Sequence, residues 1–401
     1  MSQWPVVDDC LVVGGIPLPR LVERIGHTPF YAYDRALLDA RVALLRDVLP
    51  RAVKLHYAMK ANPMPALVCH MRPLVDGVDV ASGGELAVAL DAGASPDDIS
   101  FAGPGKRDVE IAQAIAAGAL LNIESVREAK VAAAKSRELS LPARIAVRVN
   151  PDFDLKASGM KMGGGPKQFG VDVEAVPQLL GEVTRGGLAF EGFHIYAGSQ
   201  NLNADSIADA QSKAVDLAIS LAESAPSPVR VLNIGGGFGI PYFPGDRPLD
   251  VARIGRNLSG IVERVSAALP GAQIVLELGR YLVGEAGIYV CRVIDRKVSR
   301  GRVFLVTDGG LHHHLAASGN FGQVIRKNYP LCIGNRVFAG PRCVASVVGP
   351  LCTPLDLLAD EMEMADARPG DLVVVFQSGA YGATASPWGF LSHPKFAEAL
   401  V

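Results

Sequence analysis

Eight short apolar segments, each followed by an amphipathic stretch, recur between residues 53 and 278. The segments are rich in β-branched residues and the stretches between them in alanine, so the pattern predicts strands alternating with helices. Such alternation favours right-handed βαβ units and a parallel sheet. Eight units within about 240 residues fit an α/β fold of the closed (β/α)8 TIM-barrel type better than an open doubly wound sheet. The predicted strands are 53–59, 77–81, 99–103, 119–123, 144–150, 190–196, 230–236 and 273–278.

The pattern changes after about residue 286, where strand-like runs are joined by turns with little helical periodicity. These runs predict a separate C-terminal domain that is mostly antiparallel β-sheet. The first 30 residues also read as strand and turn, and we expect them to pack with that domain. The predicted domains are therefore 1–30, a barrel over 31–285 and a β domain over 286–401.

Charge and cysteine usage narrow the functional classes. The formal net charge is −2 and no long run of like charge occurs, which argues against nucleic acid and anionic membrane as partners. The amino terminus lacks a secretory pattern, and no apolar run reaches the roughly 18 residues of a membrane span. Six cysteines without a C-x-x-C pair favour reduced thiols in a cytoplasm. Histidines 312–314 are not expected to bind a metal, since neighbours in a strand point to opposite faces.

Polar residues collect at the carboxyl ends of the predicted barrel strands, where barrel enzymes place their reactive groups. Each of them alone could be a turn or a solvated strand end, but together they form one polar ring. The ring comprises Lys60, Asp79, Arg148, Asn150, His194, Tyr196, the GGGFG segment 235–239, Glu277 and Arg280.

The residue types in this ring indicate a particular chemistry. The glycine segment after the seventh strand allows close backbone approach, so its N–H groups can cradle a phosphate. Lys60 could form a Schiff base, because burial and neighbouring cations lower the pKa of an amine. Phosphate together with a Schiff-base lysine suggests pyridoxal 5'-phosphate, and Glu277 could keep its pyridine nitrogen protonated. The strong electron sink that results favours loss of carbon dioxide from an amino acid.

The segment 150–170 (NPDFDLKASGMKMGGGPKQFG) follows the fifth predicted strand directly. It is long and rich in glycine and lysine, so it could be a solvated loop. Its place at the predicted active face favours a lid that closes over substrate and excludes water.

Several of these segments occur in the same order in one enzyme family. The motifs YAMKAN, DVASGGEL, KQFGV, GSQ, NIGGGFG, ELGRYLV, GPLCTPLD and SGAYG run from about residue 28 to 390. With them the chain resembles the fold-type III pyridoxal-phosphate decarboxylases, the group of diaminopimelate, ornithine and arginine decarboxylases. GMKMGGGPKQFG and LHHHLAASGNFGQVIRKNYP make it most similar to the decarboxylase-like branch associated with the exosortase A system. The resemblance implies an alanine-racemase-like barrel with a β domain.

The resemblance also implies roles for single residues. Lys60 matches the Schiff-base lysine and Glu277 the partner of the pyridine nitrogen, while Asp79 and Arg148 match residues that support Lys60 and the cofactor. Phosphate-binding positions are matched by Ser199, Gly236, Gly237, Gly279, Arg280 and Tyr381. Cys352, with Asp356 nearby, matches the catalytic cysteine that a second subunit supplies for reprotonation. The residues expected to contact the substrate are Arg326, Thr353 and Asp356. A homodimer with shared active sites follows from the resemblance.

Three positions depart from the family pattern. Tyr196 stands where the family has a histidine against the cofactor ring, and tyrosine can stack there without an imidazolium charge. Thr353 replaces the acid that follows the cysteine in relatives acting on diamino acids, and Arg326-Lys327 replaces an acidic or polar partner. Losing a carboxylate and gaining cations disfavours a cationic side chain, so we expect an amino acid with a neutral, acidic or carrier-tethered tail.

Two alternatives remain open from the sequence. A pyridoxal-phosphate amino-acid racemase would share the architecture, but such racemases keep an arginine near the pyridine nitrogen, where this chain has Glu277. A non-catalytic homologue that only binds the cofactor or a partner is the other alternative. The presence of Lys60, Glu277 and Cys352 together favours a decarboxylase over both.

Overall fold

The eight predicted barrel strands are all present, and they form one closed ring of parallel strands. Each strand pairs with the next along the chain, and the first pairs with the last through contacts such as Leu276 with Leu55. The (β/α)8 prediction is thereby confirmed. The strands are Val53–Ala58, Gly77–Val80, Ile99–Phe101, Leu120–Ile123, Arg144–Asn150, Ala189–Ile195, Val231–Gly236 and Gln273–Leu278.

Helices follow the strands, as the amphipathic stretches predict. Two of them begin with a serine cap of the S-x-x-E type: Ser82 accepts the amide of Glu85, and Ser125 accepts that of Glu128. The helices of the barrel are Arg35–Val48, Pro65–Met71, Gly83–Asp91, Asp108–Ala117, Val126–Leu139, Val176–Gly186, Ala204–Ala222, Val251–Ala268 and Arg280–Val283. Their apolar faces bury residues such as Leu86, Ile111 and Leu258 against the strands.

The second sheet is mostly antiparallel, as predicted. Its long strand Gly287–Ser299 pairs with three neighbours, and two pairings of the sheet are parallel within the described ranges. The pattern did not indicate the strand Leu357–Ala365, whose outward positions carry acidic residues. The strands are Phe30–Tyr33, Gly287–Ser299, Arg302–Thr307, Leu331–Ile333, Arg342–Val348, Leu357–Ala365, Leu372–Val375 and Ala397–Leu400.

This structure is a computed structural model, and it describes residues 3–156, 159–321 and 326–401. By contacts the chain divides into a β unit (residues within 1–40, 241–246 and 282–401) and a barrel unit (within 41–240 and 247–281). Strands Val6–Val7, Cys10–Val13 and Ile16–Pro17 pair with one another and not with the large sheet. Helix Leu18–Ile25 packs its buried leucines into the core of the β unit. The boundaries 1–30, 31–285 and 286–401 remain a prediction.

The three histidines 312–314 lie in turns of the β unit and not in a strand, so the strand argument against a metal does not apply to them. Their individual contacts differ: His314 Nε2 lies 2.9 Å from Ser378 Oγ, and His313 Nε2 lies 2.9 Å from Pro394 O. Among the described residues, no group of three His, Cys, Asp or Glu side chains is placed to hold a metal ion.

No helix within the described ranges has the length and apolar character needed to cross a membrane.

Candidate active site

Lys60 lies in a short 3-10 turn, Met59–Ala61, that directly follows the first barrel strand. Its Nζ is 3.2 Å from Oε1 of Glu277 on the eighth strand, which pairs with the first. The Lys60 side chain is 39% exposed and that of Glu277 only 6%. Lys60 therefore does not simply extend into solvent, because its ammonium group is held against a buried carboxylate.

Glu277 is surrounded by further polar side chains of the barrel interior. His194 Nε2 lies 3.2 Å from Glu277 Oε2, and Asn233 Nδ2 lies 3.4 Å from the same oxygen. Burial alone would raise the pKa of Glu277, but Lys60, His194 and Arg148 hold it well below its usual range. Glu277 is thus an anion at neutral pH, as a partner of a protonated ring nitrogen must be.

His194 and His56 belong to the site, although the residue patterns did not assign them a role. Strand alternation places His194 on the same side as Tyr196, and His56 on the same side as Lys54 and Ala58. His56 Nδ1 lies 3.4 Å from Asp79 Oδ1. Burial lowers the pKa of His56, yet the neighbouring Asp79 raises it overall. The second oxygen of Asp79 is buried and has no hydrogen-bond partner among the described residues.

The glycine segment and Ser199 lie side by side. Asn201 N donates to Gly237 O at 3.0 Å, and a Cβ added to Gly237 would come within 2.5 Å of Gly198 O. A side chain at Gly236 would overlap the carbonyl of Glu277. Only glycine allows this close approach, which brings the end of the seventh strand against the Gly198–Ser199 segment. Gly279 is equally confined, since its Cβ would lie 2.9 Å from Ala58 O beside the Lys60 turn.

These residues fit pyridoxal phosphate. The buried Ser199 Oγ has no hydrogen-bond partner among the described residues, so it offers an unused polar group next to the glycine segment. Lys60 would supply the amine that bonds the cofactor, and Glu277 would supply a buried anion for its ring nitrogen. Arg280 begins the short helix Arg280–Val283 directly after Gly279.

Arg148 is held within a buried network of four charged side chains. Its Nη1 donates to Glu124 Oε1 at 3.1 Å, and Lys106 Nζ lies 3.0 Å from Glu128 Oε2. Glu124 also accepts the amides of Gly103 and Gly170. Burial raises the pKa of Glu124, but Arg148, Lys106 and the amide bonds lower it overall. Glu124 was not apparent from sequence because its partners come from three separate segments, around residues 103–106, 148 and 170.

The segment 150–170, which the sequence predicts as a lid, contacts the site at its middle and near its carboxyl end; its residues 157 and 158 lie outside the described residues. In the middle, Met160–Lys161 forms a short antiparallel pairing with Gly198–Ser199. Near the carboxyl end, the centroid of the Phe169 ring lies 5.2 Å from the Arg148 guanidinium. A closing motion of this segment stays a prediction.

Tyr196 lies where the resemblance places a ring-stacking histidine. Lys60 Nζ is 5.6 Å from the centroid of the Tyr196 ring. A Cβ added to Gly235 would overlap the edge of that ring. Tyr196 is therefore next to both Lys60 and the glycine segment, although its stacking on a cofactor is not tested.

The remaining candidates lie in the β unit. Cys352 is exposed, and Thr353 is half-buried with its hydroxyl accepting the amide of Leu355. Tyr381 has a left-handed backbone, with φ of 55°, and its ring centroid is 6.3 Å from that of Phe321. Asp356 is buried and accepts two backbone amides. Burial is the reason that its pKa is raised.

The Arg326 side chain forms hydrogen bonds to residues of the β unit. Its guanidinium donates to Ser318 O, to Asn328 Oδ1 and to Leu357 O, at 3.2, 2.8 and 3.0 Å. Burial lowers its pKa. These contacts do not show a substrate role for Arg326, which stays a prediction. The motif 311–330 that contains it includes residues 322–325, which lie outside the described residues.

Comparison with known proteins is consistent with this geometry. The family described as "Pyridoxal-dependent decarboxylase, pyridoxal binding domain" matches residues 35–284. L-glutamyl-[BtrI acyl-carrier protein] decarboxylase of Niallia circulans is 40% identical over 379 residues, covering 93% of this chain and 88% of the relative. Diaminopimelate decarboxylase of Aquifex aeolicus is 34% identical, covering 98% and 91%.

Solved structures show the same architecture. The crystal structure of diaminopimelate decarboxylase from Helicobacter pylori complexed with L-lysine superimposes with a TM-score of 0.84. It is 26% identical, and the match covers 96% of this chain and 94% of the other. The fold, the matched domain and the two long relatives together show that this chain belongs to the pyridoxal-phosphate-dependent decarboxylases of the diaminopimelate and ornithine decarboxylase family.

Proposed function

We propose that this decarboxylase removes the α-carboxyl group of an amino acid whose tail is neutral, acidic or tethered to a carrier protein, with Lys60 as the lysine that bonds the cofactor. The observation that carries the proposal is the Lys60–Glu277 pair, 3.2 Å apart; the Ser199 hydroxyl, which has no hydrogen-bond partner within the described part of the chain, supports it. Pyridoxal phosphate, when bound, accepts the electron pair that carbon dioxide leaves behind.

Each barrel residue has a defined task in this proposal. Glu277, kept anionic by Lys60, His194 and Arg148, holds the proton of the cofactor nitrogen. Ser199 and the glycine segment with Gly236, Gly237 and Gly279 bind the phosphate, together with Arg280 and Tyr381. Asp79 and Arg148 orient Lys60 and the cofactor, and Tyr196 covers the flat face of the ring.

The proposed substrate class rests on the residues that differ from relatives acting on diamino acids. Thr353 provides no negative charge for a distal ammonium group, and Arg326-Lys327 puts cations where such relatives have an acidic or polar partner. Burying such an ammonium group without a counter-ion costs several kcal/mol. The relative from Niallia circulans is named for a glutamyl group on a carrier protein, which supports a tethered tail. The motifs shared with the exosortase A-associated branch support placing the chain there.

We further infer a homodimer that shares its active sites, in which Cys352 of one subunit donates the proton to the product carbon. The exposed position of Cys352 is compatible with a role at a subunit boundary. All six cysteines are free thiols, which supports a reducing, cytoplasmic location.

The residue expected to face the pyridine nitrogen argues against a racemase. A carboxylate at Glu277 strengthens the electron sink, whereas racemases of this architecture weaken it with an arginine. Carbon dioxide release would support the decarboxylase, whereas loss of optical rotation without carbon dioxide release would support the racemase.

The test is a screen of carbon dioxide release over free amino acids and over glutamyl groups tethered to a carrier protein. Tethered or neutral substrates should turn over, and meso-diaminopimelate should not. Turnover of meso-diaminopimelate at an ordinary rate, of roughly 1–10³ s⁻¹, would contradict the substrate proposal.

The cofactor assignment is tested separately with Lys60→Ala. The wild type with added cofactor should absorb at roughly 420 nm, and the variant should lose this band. Lys54→Ala is the matched control, since Lys54 lies on the same strand but pairs with Asp76 at 3.6 Å. Absence of the band in the wild type would overturn the role of Lys60.

A further inference from the structure

The carboxylate of Asp356 is buried and joins two separate turns of the β unit. Its Oδ1 accepts the amide of Leu311 at 2.6 Å, and its Oδ2 accepts the amide of Leu351 at 2.8 Å. Asp356 as a residue is only 2% exposed. Both of its oxygens are therefore used within the chain, one by each turn.

Two glycines allow the carboxylate to fit between these turns. A Cβ added to Gly310 would overlap Asp356 Oδ1, and a Cβ added to Gly349 would overlap Asp356 Oδ2. The same Cβ atoms would lie 2.7 and 2.6 Å from the Cα of the other glycine. The two backbones thus run in contact, and no side chain larger than hydrogen is accommodated at either position.

The turn held in this way is the one that carries Cys352. Leu351 directly precedes the cysteine, and Thr353 N donates to Leu351 O at 2.8 Å across it. Asp356 N donates to Thr353 O, and Gly349 N donates to Asp356 O, both at 3.2 Å. The residues on both sides of Cys352 are therefore hydrogen-bonded to Asp356, whereas the Cys352 thiol itself is exposed.

We propose that Asp356 is a positioning residue that fixes the Cys352 turn, and that it does not contact the substrate. This inference rests on the proposed function, in which Cys352 delivers a proton to the product carbon. A proton donor must be held within hydrogen-bond reach of that carbon, and a displacement of about 1 Å can cost 10²-fold in rate. Charge-assisted bonds from two amides supply such rigidity.

The test compares Asp356→Asn with wild type by the rate of iodoacetamide alkylation at Cys352, resolved by peptide mass spectrometry. Cys69, exposed on helix Pro65–Met71 of the barrel unit, is an internal reference in the same molecule. The side-chain NH2 group of asparagine cannot accept the hydrogen bond from one of the two backbone amides, so the turn should loosen. The ratio of Cys352 to Cys69 alkylation should change by roughly threefold or more.

The matched control is Asp360→Asn in the following strand. Asp360 Oδ1 accepts the Ser346 hydroxyl and pairs with Arg302, away from the Cys352 turn. This variant should keep the wild-type alkylation ratio. In turnover, Asp356→Asn should lower kcat by roughly tenfold or more with KM changed less than about threefold.

The possible outcomes separate the roles. A raised KM with unchanged kcat and an unchanged alkylation ratio would make Asp356 a substrate contact and overturn the proposal. If the proposed activity itself is absent, the alkylation ratio still decides whether Asp356 fixes the turn. If Asp356→Asn does not fold, hydrogen exchange of the wild type decides, because the Leu311 and Leu351 amides must then be protected; rapid exchange of either one would overturn the proposal.

Discussion

His312 provides a prediction about acid stability. The residue is fully buried in the β unit, and neither ring nitrogen has a hydrogen-bond partner among the described residues. Burial is the main reason that its pKa falls to about 3, and the neighbouring His313 and His393 lower it further. The ring centroids of these two histidines lie 3.8 and 5.1 Å away. The folded protein therefore keeps His312 neutral.

The sign and size of the effect follow from proton linkage. Below the unfolded-state pKa of about 6.5 the unfolded chain binds a proton at His312 that the folded chain does not bind. Stability is therefore lost as the pH falls from about 6.5 toward 3, by up to about 1.4 kcal/mol per pH unit. His312→Phe removes this loss, so between pH 7.5 and 5 the variant should lose about 2 kcal/mol less free energy of unfolding than wild type.

The variant should also gain stability at neutral pH. Two buried nitrogens without partners cost about 1–3 kcal/mol, and phenylalanine keeps a flat ring in the same space. Other groups with a shifted pKa in this unit, among them His313, His314 and Asp356, are common to both proteins. The difference between variant and wild type therefore isolates His312.

The assay is urea unfolding at pH 7.5, 6.5, 5.5 and 5.0, followed by tryptophan fluorescence. Trp4 and Trp388, the two tryptophans of the chain, both belong to the β unit, so the signal reports the domain that contains His312. His27→Gln, which replaces an exposed ring, is the control. Parallel loss of stability in His312→Phe and wild type across this pH range would refute the reasoning.

Two further predictions concern the barrel. Glu277→Gln removes the anion that faces Lys60 and should lower the rate of carbon dioxide release by roughly 10²- to 10³-fold, measured at saturating cofactor; a rate within threefold of wild type would contradict the role of Glu277. Gly235→Ala places a Cβ against the ring of Tyr196 at a backbone φ of 69°, and should weaken cofactor binding in a fluorescence titration. Gly93→Ala is the control for backbone strain alone, since Gly93 has a φ of 78° and no atom lies within 4 Å of its added Cβ. Equal effects of the two variants on cofactor binding would contradict the Tyr196 contact.

The barrel was predictable because its signals are local. Strands Arg144–Asn150 and Gln273–Leu278 have the bounds that the apolar runs predict, and the others differ by one or two residues at one or both ends. Strand Leu357–Ala365 was missed because it is solvated on one side, where Asp360, Glu361 and Glu363 replace apolar residues. A period-2 pattern of mixed polarity gives a weak strand signal.

The sequence predicted which residues belong to the candidate site better than it predicted the contacts among them. Position at strand ends and the family motifs selected Lys60 and Glu277, but the pairing of His194 with Glu277 joins the sixth strand to the eighth across the barrel interior. No spacing rule reports such a distance, because it depends on how the ring of strands closes. The same holds for Asp356, whose partners are fixed by the packing of Gly310 against Gly349.

Strand Phe30–Tyr33 has a consequence for how the protein is made. It pairs with Ala397–Leu400, and the Tyr33 hydroxyl donates to Glu398, 365 residues later in the chain. At a synthesis rate of about 5–20 residues per second, the ribosome needs roughly 20–70 s to supply that partner. Until then Phe30–Tyr33 has an unpaired edge, and the barrel strands between residues 53 and 278 are all synthesised before that partner. We expect the barrel to fold first, and the nascent chain to depend on chaperones that shield this early apolar strand.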